Sequence, residues 1–249
     1  MDKGWQSFVI TTDQGSNRFE DFTRNNSHLK FSIFNAVTPH QLDHEKIIST
    51  GLGTKELLDA SIASMGTFAC AASHRKLRED CAGDDKGYLI LEDDCITHES
   101  IGLFIDVNIE NLMKFDICFF GVNTDSVLQH LSPEGLGILS LFRPEFPSQQ
   151  WIRSALKSTR LKDVTLHRFY SGFGNLCYFI SPDGARKINE FVFPLSLETT
   201  SIPLINSKMP SSSLDRAQCR TASRYNAFIT IPFLAYSPNT HSETRAEIV

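Results

Sequence analysis

The feature that most constrains this chain is an abrupt change of chemistry. Tyr88-Leu89-Ile90-Leu91 is a continuous apolar run, and Glu92-Asp93-Asp94 follows it without a break. A run with no polar alternation reads as a strand covered on both faces, hence a central one. In open α/β sheets ligands gather beyond the carboxyl ends of the strands, which is where the three acids fall. Adjacent carboxylates repel one another unless a cation or solvent relieves them. Residues two apart on an extended chain point the same way, so Glu92 and Asp94 can converge on one ion. Hard oxygen donors of this kind favour Mg²⁺ or Mn²⁺. On these residues alone, a solvated acidic turn that merely ends a strand fits equally well.

The surroundings supply a fold. Phe8-Val9-Ile10-Thr11-Thr12 reads as a buried first strand, and a helix is expected around Arg18 to Arg24. Phe31-Ser32-Ile33-Phe34 alternates apolar and polar, as a second strand should. A helix is expected from Ser61 to Cys81, with Cys70, His74, Leu77 and Cys81 on one stripe and small residues in the middle. A further helix, Ile101 to Met113, leads to the apolar strand Ile117-Cys118-Phe119-Phe120-Gly121. Alternating strands and helices predict an α/β fold with a mixed, mainly parallel sheet flanked by helices. The second half is less regular. Leu176 to Ile180 reads as a strand, Pro182 to Phe191 as a helix with Pro at its start, and Met209 to Ser213 as a loop. Without an internal repeat or a recognisable linker, the expectation is a single domain over residues 1–249.

Taken in order, these segments resemble glycosyltransferase family 25, which includes bacterial lipopolysaccharide galactosyltransferases and collagen galactosyltransferases. The resemblance is carried by Val9-Ile10-Thr11-Thr12 with Arg18, by Phe31 to Val37 closing on Ala36, and by Cys70-Ala71-Ala72-Ser73-His74. It continues through Leu89 to Asp94, Asp116 to Gly121, Gly174 to Ser181 with Gly184-Ala185, Leu214-Asp215 and Ile231-Pro232. Each motif alone is weak, whereas the ordered set is fairly specific. Two departures bear on the donor: Thr38-Pro39 stands where many members have Gly, and Thr11-Thr12 replaces Asn-Leu or Ser-Leu.

The resemblance implies a GT-A-like fold and an inverting transfer of sugar, with galactose from UDP-galactose the first expectation, onto a glycan or glycolipid acceptor in bacterial surface-glycan assembly. It implies a donor site of Thr11, Thr12, Arg18, Ala36, Ser73, His74, Glu92 and Asp93, with Glu92 and Asp94 holding Mn²⁺ or Mg²⁺. Asp215 is the expected general base, and His241 a further histidine that could complete a metal site. Each residue also has a plainer reading. His74 fits a hydrogen-bonded histidine at the core edge, and Ser73 a helix serine bonded to its own backbone. Arg18 fits a helix cap, and Asp215 a helix-start aspartate. Two rival functions remain: a metal-dependent nucleotidyltransferase, and a degenerate family member that binds without turnover.

Composition removes other classes. A net charge of −5 argues against a general nucleic-acid binder. The six cysteines are scattered, lack a CxxC pair and mostly sit beside apolar residues, so reduced buried thiols are expected. With no signal-peptide core and no stretch long enough to span a bilayer, the expectation is a cytoplasmic protein, with peripheral contact at the inner membrane left open. Arg153, Lys157, Arg160, Lys162 and Arg168, interleaved with Trp151, Ile152, Leu156 and Leu161, read first as a solvated helix face and second as an anionic-membrane contact.

Overall fold

The computed structural model describes residues 4–141, 147–202 and 207–238. The first half alternates as expected: β1 (Trp5–Thr11), α1 (Asn17–Asn25), β2 (Ser32–Asn35), the short helices α2 (His44–Ser49) and α3 (Lys55–Asp59), then α4 (Met65–Ala82), β3 (Gly87–Glu92), β4 (Ile96–Thr97), α5 (Ile101–Leu112) and β5 (Ile117–Gly121). The second half holds a hairpin of β6 (Val127–Leu131) and β7 (Gly137–Leu141), then α6 (Gln149–Ser158), β8 (Thr165–Ser171), β9 (Cys177–Ile180) and α7 (Pro182–Val192). It ends with a second hairpin of β10 (Thr199–Ile202) and β11 (Ser207–Pro210), followed by α8 (Leu214–Thr221), β12 (Ala227–Ile231) and β13 (Ala235–Tyr236).

Nine strands form one sheet in the order β2-β1-β3-β9-β5-β12-β8-β6-β7. β1 pairs in parallel with β2 and β3, and β5 with β12. β9 is inserted antiparallel between β3 and β5, while β8, β6 and β7 continue antiparallel to the edge. β1, β2, β3, β5, β6 and β12 therefore point one way, and β7, β8 and β9 the other. The sheet is mixed, with most strands in one direction and helices on both faces, as in Rossmann-like folds.

Strand periodicity decides what each face buries. Tyr88 and Ile90 of β3, Tyr178 and Ile180 of β9, and Ile117 and Phe119 of β5 pack under α4, α7 and α8. Leu89 and Leu91, Cys177 and Phe179, and Cys118 and Phe120 face the other way, against Phe22 of α1 and Ile101, Phe104 and Ile105 of α5. Both faces of the central strands are covered, which is why their sequences show no polar alternation. Fully burying a Leu or Ile contributes about 1.5–3 kcal/mol, so burial on both faces holds these strands firmly.

Local chemistry sets the helix limits. The expected start at Ser61 moves to Met65, because Ser61 has a left-handed φ of 52° and Ser64 caps α4 by accepting the Thr67 N–H at 3.1 Å. Ser16 and Ser181 cap α1 and α7 in the same way, with Pro182 in the first turn of α7. The expected loop Met209 to Ser213 is shorter, since Met209 and Pro210 belong to β11. The basic stretch 151–168 is not one helix. α6 ends at Ser158, and Arg168 lies on β8, where its guanidinium donates to Asn226 Oδ1 and the Tyr225 carbonyl. All six cysteines are free, four of them buried. No helix among the described residues is long and apolar enough to cross a membrane.

At Gly184 helix α7 comes close to the backbone at the start of β5. A Cβ placed there would lie 1.8 Å from the Asp116 carbonyl oxygen. In an exposed helix Gly→Ala gains about 1 kcal/mol; here overpacking, which costs about 1–3 kcal/mol, should win. Gly184→Ala should therefore lower the urea midpoint at unchanged m-value, and a stabilised variant would refute the close packing.

Candidate functional site

A cleft of about 530 Å³ opens over the carboxyl ends of β1, β2, β3 and β5. β1 connects onward to β2 on one side and lies against β3 on the other, so the strand order reverses there. Such switch points leave a crevice between diverging connections. Ile10, Thr11 and Thr12 reach it from β1, Ala36 and Val37 from β2, Glu92, Asp93 and Asp94 from β3, and Asn123 from β5. Arg18 enters from α1, Ser73 and His74 from α4, and Asp215 from α8. Every sequence-expected site residue among those described thus lines one cleft; His241 lies outside the described residues. Asn123, Asp125, Phe173, Gly174, Asn175 and Arg216 line it too and were not singled out as site residues. Asn123 and Asp125 follow an apolar strand, the same positional signal that marked Glu92.

The acids do not converge by strand alternation. β3 ends at Glu92, and Asp93 and Asp94 form a turn. Arg18 reaches across to them: its Nε is 2.6 Å from Asp93 Oδ1 and its Nη2 is 3.6 Å from Asp94 Oδ2. Asp94 Oδ1 is buried and has no hydrogen-bond partner among the described residues. Burial raises Glu92 to about 7, with Asp93 and Asp215 adding to the effect and Arg18 opposing it. Asp94 is raised to about 6, by burial first and the Glu92 charge second. Arg18 therefore compensates the cluster only in part.

Two side chains of α4 tie the cleft to the core. Ser73 donates to the Ala69 carbonyl (2.9 Å) and accepts the Val37 N–H (2.8 Å), which anchors the segment after β2. His74 is buried, with Nδ1 2.9 Å from Tyr178 Oη and Nε2 3.3 Å from Glu92 Oε1. Burial, and then the nearby Arg78 charge, hold its pKa well below the usual histidine range. Cys70, His74 and Glu92 each offer one ligand atom within 4.8 Å of the others, a group to which Asp94 does not belong. Burial pushes the Cys70 thiol up, with Glu92 next in effect, so a metal there would have to displace a firmly held proton.

Asp215 faces this cluster from the first turn of α8. Its Oδ2 accepts the Gly174 N–H at 3.1 Å, and its Oδ1 accepts the Arg216 N–H at 2.8 Å and the Ser213 hydroxyl. Gly174 has a φ of 90°, and a Cβ there would lie 2.5 Å from the Asn123 side chain. Only glycine satisfies both demands.

A carboxylate whose folded pKa is raised holds its proton longer in the folded chain than in the unfolded one. Its contribution to stability is full below the ordinary carboxylate pKa of about 4 and is lost as pH rises through about 6 to 7. In chelator, Asp94→Asn should therefore melt above wild type at about pH 8, on the order of 2–4 °C for each ~1 kcal/mol relieved, and the gap should close near pH 5. A gap that widens on acidification would reverse the assignment.

Residues 6–200 match glycosyltransferase family 25 (LPS biosynthesis protein). No curated protein matches the chain. Among solved structures, the crystal structure of A197 from STIV aligns over 90% of this chain and 80% of its own, at 9% identity and a TM-score of 0.35. The family match covers α1 with Arg18, α4 with His74 and the acidic cluster at the end of β3, so the chain belongs to glycosyltransferase family 25, a family of sugar-transferring enzymes of lipopolysaccharide biosynthesis.

Proposed function

We propose that the chain transfers a sugar from a nucleotide-diphosphate donor, UDP-galactose first among candidates, to a glycan or glycolipid acceptor with inversion, in a GT-A-like site formed by a single domain. The observation that carries this reading is the convergence of Glu92, Asp93 and Asp94 with Asp215 in one cleft at the switch point. The donor set fits Mn²⁺ or Mg²⁺: the oxygens are hard, they carry surplus negative charge, and Asp94 Oδ1 is buried without a hydrogen-bond partner among the described residues. Glu92 and Asp94 would hold the ion, which supplies positive charge to the diphosphate leaving group.

The other steps belong to the chain's own groups. Asp215 accepts the proton of the acceptor hydroxyl as the new oxygen–carbon bond forms and the bond to the diphosphate breaks, and the nucleoside diphosphate leaves with the electron pair. Its hydrogen bonds from Gly174, Arg216 and Ser213 occupy three of its roughly four acceptor positions and hold it in orientation. Arg18 holds Asp93 and so fixes the turn. Thr11, Thr12 and Ala36, none of them charged, line the cleft on the donor side of this reading. If the acceptor is membrane-borne, Trp151 and Lys157, both exposed on α6, are the side chains this reading would bring to its surface.

Thermal shifts with UDP-sugars should be larger with Mn²⁺ than without it, because a ligand that binds only the folded state raises its stability. Asp94→Asn should lose metal-dependent transfer and retain its fold. Asp215→Asn should bind donor as wild type does while kcat falls by about 10²–10⁴. Full activity in chelator would sink the metal assignment, and a folded Asp215→Asn enzyme with normal turnover would remove the base. A product carrying a nucleoside monophosphate would instead establish nucleotidyl transfer.

A further inference from the structure

We propose that Arg78 and Tyr178 form a positioning relay that fixes the tautomer of His74, aims its Nε2–H at Glu92 and so keeps His74 out of the coordination sphere of any cation in the cleft. Its consequence for the cation rests on the reading of Glu92 and Asp94 as an ion-binding pair; the relay itself rests on hydrogen-bond geometry.

With Glu92 ionised, one assignment along this line satisfies every donor and acceptor. A guanidinium has no acceptor, so Arg78 Nε–H donates to Tyr178 Oη at 3.2 Å. Tyr178 then has its own hydroxyl hydrogen to give, and His74 Nδ1 stands 2.9 Å away. A neutral imidazole that accepts at Nδ1 carries its proton on Nε2. That nitrogen faces Glu92 Oε1 at 3.3 Å, where an N–H can donate to the carboxylate. The opposite tautomer would send both Arg78 Nε–H and His74 Nδ1–H into one phenolic oxygen. It would also strand the Tyr178 hydroxyl hydrogen and turn the Nε2 lone pair against Glu92.

Arg78 makes the line directional. It is fully buried, its Cζ is 5.2 Å from the centre of the Tyr178 ring, and its Nη1 and Nη2 have no hydrogen-bond partner among the described residues. A buried charge without a carboxylate partner is costly. Placed behind Tyr178, it polarises the hydroxyl toward His74 and strengthens each bond further along the chain. Sheet parity makes the relay possible, because Tyr178 and Glu92 both face α4, where His74 and Arg78 lie one turn apart. By distance, Cys70, His74 and Glu92 resemble a soft-metal ligand set. With Nε2 committed as a donor, the cation is left to carboxylate oxygens, which discriminates against Zn²⁺ in favour of Mg²⁺ or Mn²⁺.

The test is ¹⁵N NMR of the full chain with labelled histidine, free of metal, together with Mn²⁺ binding read by EPR with Mn²⁺ alone. Wild-type His74 should show a protonated Nε2 and a bare Nδ1. Tyr178→Phe, which deletes only the hydroxyl, should mix the tautomers and weaken Mn²⁺ binding about 10–100-fold with unchanged far-UV circular dichroism. A purely structural Tyr178 would leave the nitrogen shifts where they were, and that result overturns the relay. So does an Nδ1-protonated His74 in wild type, a measurement that stands even if the variant does not fold. A wild-type Nε2–H tautomer in a chain that binds no Mn²⁺ would support the relay and overturn the ion-binding reading alone.

Discussion

Negative charge gathered at the end of a buried strand is the constraint on which the cleft depends. Two like charges about 4 Å apart repel by about 4 kcal/mol at the effective dielectric of a protein surface, and burial strengthens the effect. β3 delivers Glu92, Asp93 and Asp94 together into such a place, and Arg18 neutralises only part of what they bring. The remainder is visible in the raised Glu92 and Asp94 and in Asp94 Oδ1, which has no hydrogen-bond partner among the described residues. A chain gains nothing in stability from such an arrangement. Its survival within a fold whose other strands are well packed is what one expects of a site that binds charge.

The sheet converts this imbalance into geometry. β1 and β3 run in parallel from Trp5↔Gly87 to Ile10↔Glu92, so Thr11, Thr12 and the acidic turn emerge side by side. β9 runs the other way, and it therefore begins where β3 ends. Gly174 and Asn175 lie beside the acids for that reason, and the Gly174 N–H meets Asp215 from α8. One antiparallel strand thus joins the half of the cleft built on the first βαβ units to the half built on the last helix.

The parts legible in the sequence were those governed by local periodicity. The unbroken apolar runs of β3 and β5 identified central strands, and the acids after β3 located the cleft. Three things were hidden for physical reasons. The β6–β7 hairpin has a mixed pattern, because β7 is an edge strand with exposed Leu141, so neither alternation nor an apolar run marks it. Arg18, which reads equally well as a phosphate ligand or a helix cap, is committed to Asp93 and Asp94 through a contact that spans 75 residues. Arg78 looks like one more basic residue on a helix, and its burial follows only from the packing of α4 against β9 and α7.

Tyr178 shows why a division between core and site fails here. Its ring packs among Ile90, Phe119 and Ile180 as an ordinary core aromatic, and Phe would fill that volume almost as well. What Phe cannot do is accept from Arg78 and give to His74 in the same breath. A hydroxyl in the core costs free energy unless both of its roles are satisfied, and the fold satisfies them with a buried cation on one side and a neutral imidazole on the other. The polar line runs from the buried Arg78 through Tyr178 and His74 to Glu92 at the edge of the cleft. The hydrophobic packing that stabilises the sheet therefore also fixes the direction from which Glu92 receives its hydrogen bond.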